Sequence, residues 1–234
     1  MNQKSFSKKD IFIFSLMALT AVLITVAGVV YNQNFFRILP LYVSLIIGML
    51  QSRVNRFASL LGSANSLLYG AVYIFYKLYG SGFSAILFSC PIQILTFIRW
   101  NKNKNGESTQ LRRLSVKWRV ILLAGFALLL IALWLLLPLI GSQYVFLDSA
   151  TTLLGILIYF LTMFAFVEYT SFMIINGIIN IFLYIQMLPD SPETMTYLIF
   201  SVYSFICICF AFFEARKLYR IQQNEKKGSE CIEN

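Results

Sequence analysis

Residues 118–140 read WRVILLAGFALLLIALWLLLPLI, and after Arg119 nothing in the run is charged. A helix needs about 20 mostly apolar residues to cross ~30 Å of hydrocarbon, and this stretch reaches that length with almost no polar side chain inside it. A helix that is apolar on every side has no wet face, so it belongs in lipid. Seven further apolar stretches flank it. Before it come approximately Ile11–Tyr31, Ile38–Leu50, Phe57–Tyr79 and Phe83–Trp100, and after it Leu147–Met163, Phe166–Leu188 and Met195–Phe213. The intervals leave no room for a soluble domain. The chain is therefore read as an all-α polytopic membrane protein with eight transmembrane helices.

Composition agrees. Of 234 residues 59% are hydrophobic and 12% charged, and the mean hydropathy is +0.73, against ~25% charged residues in an ordinary soluble domain. There is no histidine, which removes the commonest metal ligand and the usual general base at neutral pH. The cysteines Cys90, Cys207, Cys209 and Cys231 form no CxxC pair, so neither a disulfide framework nor a zinc site is expected. No catalytic residue, metal or cofactor is assigned, and the chain is not read as an enzyme. The first apolar stretch is longer than a signal peptide's core and lacks a small-residue cleavage site near Tyr31, so it is read as a retained helix.

The basic residues fix an orientation, since Lys and Arg near helix ends stay on the cytoplasmic side. With the N-terminus inside, 17 of the 19 basic residues fall in cytoplasmic segments and only Arg37 and Lys77 fall outside. Both termini are expected in the cytoplasm, with the protein in the cell membrane. Topology and anionic lipid account for the net charge of +9, with no need of nucleic acid.

The two halves repeat. Aligning Asn65 with Asn176 pairs Phe57–Tyr79 with Glu168–Asp190, each a helix with Asn at the same depth followed by aromatics. Three-helix units have an odd number of crossings, so two copies stand parallel only if one helix separates them, and 118–140 is that helix. The expected plan is an N-terminal helix plus a 3+1+3 arrangement of two parallel three-helix repeats. Residues 1–34 form a cytoplasmic leader and the additional helix, 35–101 the first repeat, 102–143 a basic cytoplasmic loop and the linker helix, 144–216 the second repeat and 217–234 a polar cytoplasmic tail, expected to lack fixed structure from Gln222 onward. Parallel repeats of this kind place a substrate near midplane between the halves.

Interior polar residues mark the candidate site. Gln93, Phe97 and Trp100 share one helix face, and Pro91 beside them removes a backbone bond and kinks the helix. Tyr169, Phe172, Asn176 and Asn180 share another face, and Asn65, Tyr69 and Tyr76 a third. Aromatic planes with amides suit a flat heteroaromatic ring carrying hydrogen-bonding groups. The same amides also serve to join membrane helices, at ~0.6–2 kcal/mol each. If they bind substrate, Asn65, Gln93 and Asn176 should converge on one cavity. Asp148 and Glu168, near helix ends, are expected as solvated charges.

In order along the chain, Gly62-Ser-Ala-Asn65, Gln93-Ile-Leu-Thr-Phe97-Ile-Arg-Trp100, Asp148-Ser149 and Tyr169-Thr-Ser-Phe172-Met-Ile-Ile-Asn176 resemble the motifs of the PnuC-type vitamin transporter family, over about Arg37 to Tyr219. That family's fold is similar to the SWEET sugar transporters. In the family the first triplet ends on an amide and a pair of Trp, and the second opens on a pair of Trp followed by Asn. Here Gln93, Trp100 and Asn176 match, while Phe97, Tyr169 and Phe172 stand in place of Trp. The resemblance implies substrate binding by Asn65, Gln93, Phe97, Trp100, Tyr169, Phe172 and Asn176, and the shared helix face adds Tyr69. It also implies uptake of nicotinamide riboside by facilitated diffusion, with trapping by a cytoplasmic kinase, and a homo-oligomer, for which no residue here argues. Fewer Trp planes weaken the grip on a cationic ring, which keeps thiamine, riboflavin and deoxynucleosides open as substrates. A membrane sensor or a subunit of a larger complex is the alternative of another class.

Overall fold

The computed structural model describes residues 8–102, 104–105 and 108–232. Its helices are α1 (Lys8–Val30), α2 (Phe35–Gln51), α3 (Phe57–Phe75), α4 (Tyr79–Ser84), α5 (Cys90–Lys102), α6 (Val116–Leu136), α7 (Val145–Met163), α8 (Tyr169–Met187) and α9 (Met195–Ile232). A π turn at Ala85–Ser89 joins α4 to α5, making one continuous 24-residue stretch, Tyr79–Lys102. Among the described residues seven stretches are long and apolar enough to cross a membrane, and α2, at 17 residues, is the shorter eighth.

Helix ends account for most differences from the sequence reading. Asn34 accepts a hydrogen bond from the Phe36 N–H and starts α2 three residues earlier than expected, so Pro40 lies inside the helix instead of in its first turn. At the other extreme α9 does not stop near Phe213 but runs on as helix to Ile232, through most of the segment expected to lack structure. The loop after α5 is not a plain tether. A two-residue hairpin pairs β1 (Lys104–Asn105) with β2 (Ser108–Thr109), and Arg112 then bonds through its backbone to Ala165 and Val167 at the α7–α8 turn.

The repeat is visible in backbone detail. Helices α3 and α8 are both 19 residues long. The turns leading into them place Val54 and Ala165, 111 positions apart, in the left-handed region at φ 53° and 56°. In each the same pair of bonds closes the preceding helix: Val54 N–H to Gln51 O and Asn55 N–H to Leu50 O, against Ala165 N–H to Thr162 O and Phe166 N–H to Leu161 O.

Packing follows the 3+1+3 plan. Each repeat's first helix lies against the other's third, α2 on α9 and α7 on α4 and α5. The additional helix α1 lies across α2 and α9, where Lys9 pairs with Glu214 at 3.1 Å and Arg53 with Asp10 at 2.9 Å. The linker α6 packs on α7 and buries none of its side chains, as a helix facing lipid does.

Candidate substrate cavity

A cavity of about 260 Å³ lies between the two triplets, and every residue lining it belongs to α2–α5 with the π turn or to α7–α9. A smaller one of about 50 Å³ adjoins it toward the basic end of the bundle, the end that carries Arg53 and Arg99. Gln51, Ile158, Tyr159 and Met173 border both.

The cavity wall is hydroxyl-rich, and the direction of its hydrogen bonds decides what it can hold. In a lipid-embedded helix a Ser or Thr proton goes to the carbonyl a turn earlier, the one acceptor always in reach. Thus Ser66 donates to Gly62 O, Ser84 to Ser81 O, Thr151 to Leu147 O and Ser201 to Tyr197 O. Ser81 donates to the Asp148 carboxylate, and the Asn180 amide donates to Asn176 O. With those protons spent, the oxygens of Ser66, Ser81, Ser84, Thr151 and Ser201 are left as acceptors in the wall, while the Tyr69 hydroxyl, which accepts from Ser44, keeps its own proton. The Asn176 Oδ1 is buried with no hydrogen-bond partner among the described residues. No charged side chain lines the cavity.

Of the eight candidate residues, Tyr69 and Asn176 line the larger cavity and Gln93, Trp100 and Tyr169 the smaller one. Asn65, Phe97 and Phe172 line neither. The three amides therefore do not converge on one cavity. Asn65 stands behind the wall, donating to Pro40 O at 3.0 Å and to Ser44 Oγ at 2.7 Å, while Ser44 donates to the Tyr69 hydroxyl. Gln93 donates to Ser66 Oγ at 2.8 Å, and Trp100 donates its indole N–H to Thr162 O at 2.7 Å. Phe97 packs on Phe57, and Phe172 on the Leu114–Leu161–Tyr169 cluster.

Sequence reasoning missed Tyr73, Tyr159, Tyr184 and the serines of the α4–α5 stretch. Tyr73 and Tyr184 were findable, because they stand 111 positions apart like Asn65 and Asn176. The two carboxylates expected in solvent are not there. Asp148 is fully buried and accepts from the Gly80 and Ser81 N–H groups and from the Ser81 and Ser142 hydroxyls. Glu168 is bonded by Arg119 at 2.7 Å and by the Leu114 N–H. Near Asp148, burial and the Asp190 carboxylate push the Tyr144 phenol up to about 12, so it remains a donor at neutral pH.

Gly62 allows Gln93 its position, since a Cβ there would stand 1.9 Å from Gln93 Oε1. Gly62→Ala is expected to push the amide off Ser66 and to cost ~1–2 kcal/mol, the size of one lost hydrogen bond with a group left unpaired. In a Gln93→Ala background the same substitution should cost little, which a double-mutant cycle of thermal unfolding checks.

Two parallel three-helix repeats around a polar cavity, with a linker helix that buries none of its side chains, define a membrane transporter rather than an enzyme. Residues 34–215 match the family model described as nicotinamide mononucleotide transporter, and the chain belongs to that family. Its fold superposes on the crystal structure of the vitamin B3 transporter PnuC with a TM-score of 0.78, covering 92% of this chain and 94% of that one at 18% identity. At that identity the likeness is one of fold. No curated protein sequence matches the chain.

Proposed function

We propose that the protein is a facilitator for a nucleoside-like vitamin, nicotinamide riboside, in the cell membrane with both termini cytoplasmic. The observation that carries this reading is the acceptor-lined, uncharged cavity. Such a wall favours a ligand rich in O–H and N–H donors, and a positive ring is welcome there. A phosphate monoester would lose its hydration with no lysine or arginine among the lining residues to replace it. The family's name and that of its structural neighbour point to the same vitamin in phosphorylated or free form, and the lining favours the free nucleoside. The concentration of 17 of 19 basic residues at one side of the chain's crossings supports the orientation. Substrate would cross by alternating access of the two repeats about the cavity and be trapped by a kinase inside the cell.

Uptake into proteoliposomes tests this. Nicotinamide riboside should equilibrate saturably without an ion gradient, with the mononucleotide competing at least about tenfold more weakly. Equal competition by the mononucleotide would overturn the reading of the cavity, and accumulation above the outside concentration would overturn facilitation. Thiamine, riboflavin and deoxynucleosides belong in the panel as the other substrates that the family resemblance leaves open.

A further inference from the structure

The wall from Ser81 to Ser89 owes its shape to the π turn. Ser81, Ser84, Ala85 and Ser89 all line the cavity, while Ile86, Leu87 and Phe88 between them face outward with 36%, 63% and 44% exposure. In an α-helix, five residues turn through about 500°, which would leave Ser84 and Ser89 some 140° apart. Here the Cys90 N–H bonds to Ala85 O, an i→i−5 closure that widens the turn and swings Ser89 back toward the face of Ser84. The cause sits one residue on. Pro91 has no N–H to give to Leu87 O, and its ring would crowd that carbonyl in a regular helix, so the chain widens just ahead of it.

We propose that this π-turn wall is the sugar subsite, in which Ser81, Ser84 and Ser89 read the hydroxyls of a pentose. Ser81 and Ser84 have committed their protons to Asp148 and to Ser81 O, so they offer lone pairs to a sugar's O–H donors. Ser89 is 4% exposed and lines the cavity together with Tyr159 of the opposing triplet. Thr151 and Thr152 of α7 complete the patch. Across the cavity, Tyr69, Tyr184 and the unpartnered Asn176 Oδ1 are left for the base. The inference rests on the nucleoside reading and adds which wall takes which end of the ligand.

The test compares uptake of a riboside and of the 2′-deoxyriboside of the same base in proteoliposomes. Wild type should prefer the riboside. The Ser84→Ala, Ser89→Ala double variant should lower riboside uptake about tenfold and deoxyriboside uptake distinctly less, so that the preference narrows, since a site built to bond a hydroxyl rejects the analogue lacking it. An unchanged preference in the serine variant, whose melting temperature controls for folding, would overturn the subsite, and so would a wild type that carries both sugars equally. A wild type that carries neither, yet equilibrates another member of the vitamin panel, would overturn the nucleoside reading itself and the subsite with it.

Discussion

Asp148→Ala should lower the melting temperature of the purified protein by roughly 10 °C. The side chain is wholly buried at the start of α7 and gathers four donors, two of them the Gly80 and Ser81 N–H groups that open α4 and have no carbonyl a turn earlier to bond. Truncation leaves those backbone donors dry, at ~1–3 kcal/mol each, and removes charge-assisted bonds that are the stronger kind. The Ser81 and Ser142 hydroxyls can turn to other acceptors, so the loss is about 3–5 kcal/mol, and at 2–4 °C per kcal/mol for a chain of this size the shift follows. The opposite seam, α2 with α9, is held by neutral bonds, Thr196 to Gln33 Oε1 and the Tyr197 hydroxyl to Arg37 O. Asp148 is thus the charged tie between the repeats at the end remote from Arg53. Asp148→Asn keeps one acceptor oxygen and should lose about half as much. Thermal unfolding followed by tryptophan fluorescence reads both, and an Asp148→Ala protein that melts with wild type would remove the tie from the account.

Why Asp148 was not recognised from sequence shows where such reading stops. An acid near a helix end is usually solvated, and its four partners lie on α4 and on the turn before α7, brought to it only by the packing of one repeat's third helix on the other's first. Length and hydropathy were enough for the eight crossings and the linker, because a helix in lipid must satisfy its backbone within itself and so betrays its span. The repeat was legible through Asn65 and Asn176, and the left-handed turns at Val54 and Ala165 carry the same offset. The cavity face was legible only to within one side-chain step. On α5 the residues that reach a cavity are Gln93, Thr96 and Trp100, and on α8 they are Tyr169, Met173, Asn176, Gly177, Asn180 and Tyr184. Phe97 and Phe172 are helical neighbours of these, about 100° or less around the barrel of the helix, and an i, i+3, i+4 pattern does not say on which side of the stripe the partner helix stands. Pro91 was read as a kink; that it would close a five-residue turn and rotate a serine row into the cavity depends on how α3 packs, where Gly70 and Gly82 bring the two backbones together.

Asn176→Leu should have opposite effects on stability and on binding. Its Oδ1 is buried without a partner among the described residues, and an acceptor in that condition costs ~1–3 kcal/mol in the ligand-free protein. Leucine fills a similar volume and asks for no hydrogen bond, so the variant should melt a few degrees above wild type. The same oxygen is the acceptor that a ligand N–H or O–H would satisfy, and with it gone a donor on the ligand is buried dry instead. Transport of the preferred substrate should then fall by about a hundredfold or more, the discrimination expected when one side of a buried hydrogen bond is deleted. The two readouts separate site from scaffold. A purely structural asparagine, joining α8 to a neighbouring helix, would lose stability on substitution, and transport would fall only as far as folding does. A binding asparagine loses transport while stability rises, because the strain it carries in the free protein is relieved by ligand and by nothing else in the fold. Melting curves and uptake rates measured on the same preparation decide between them, and a destabilised Asn176→Leu would assign the residue to helix packing.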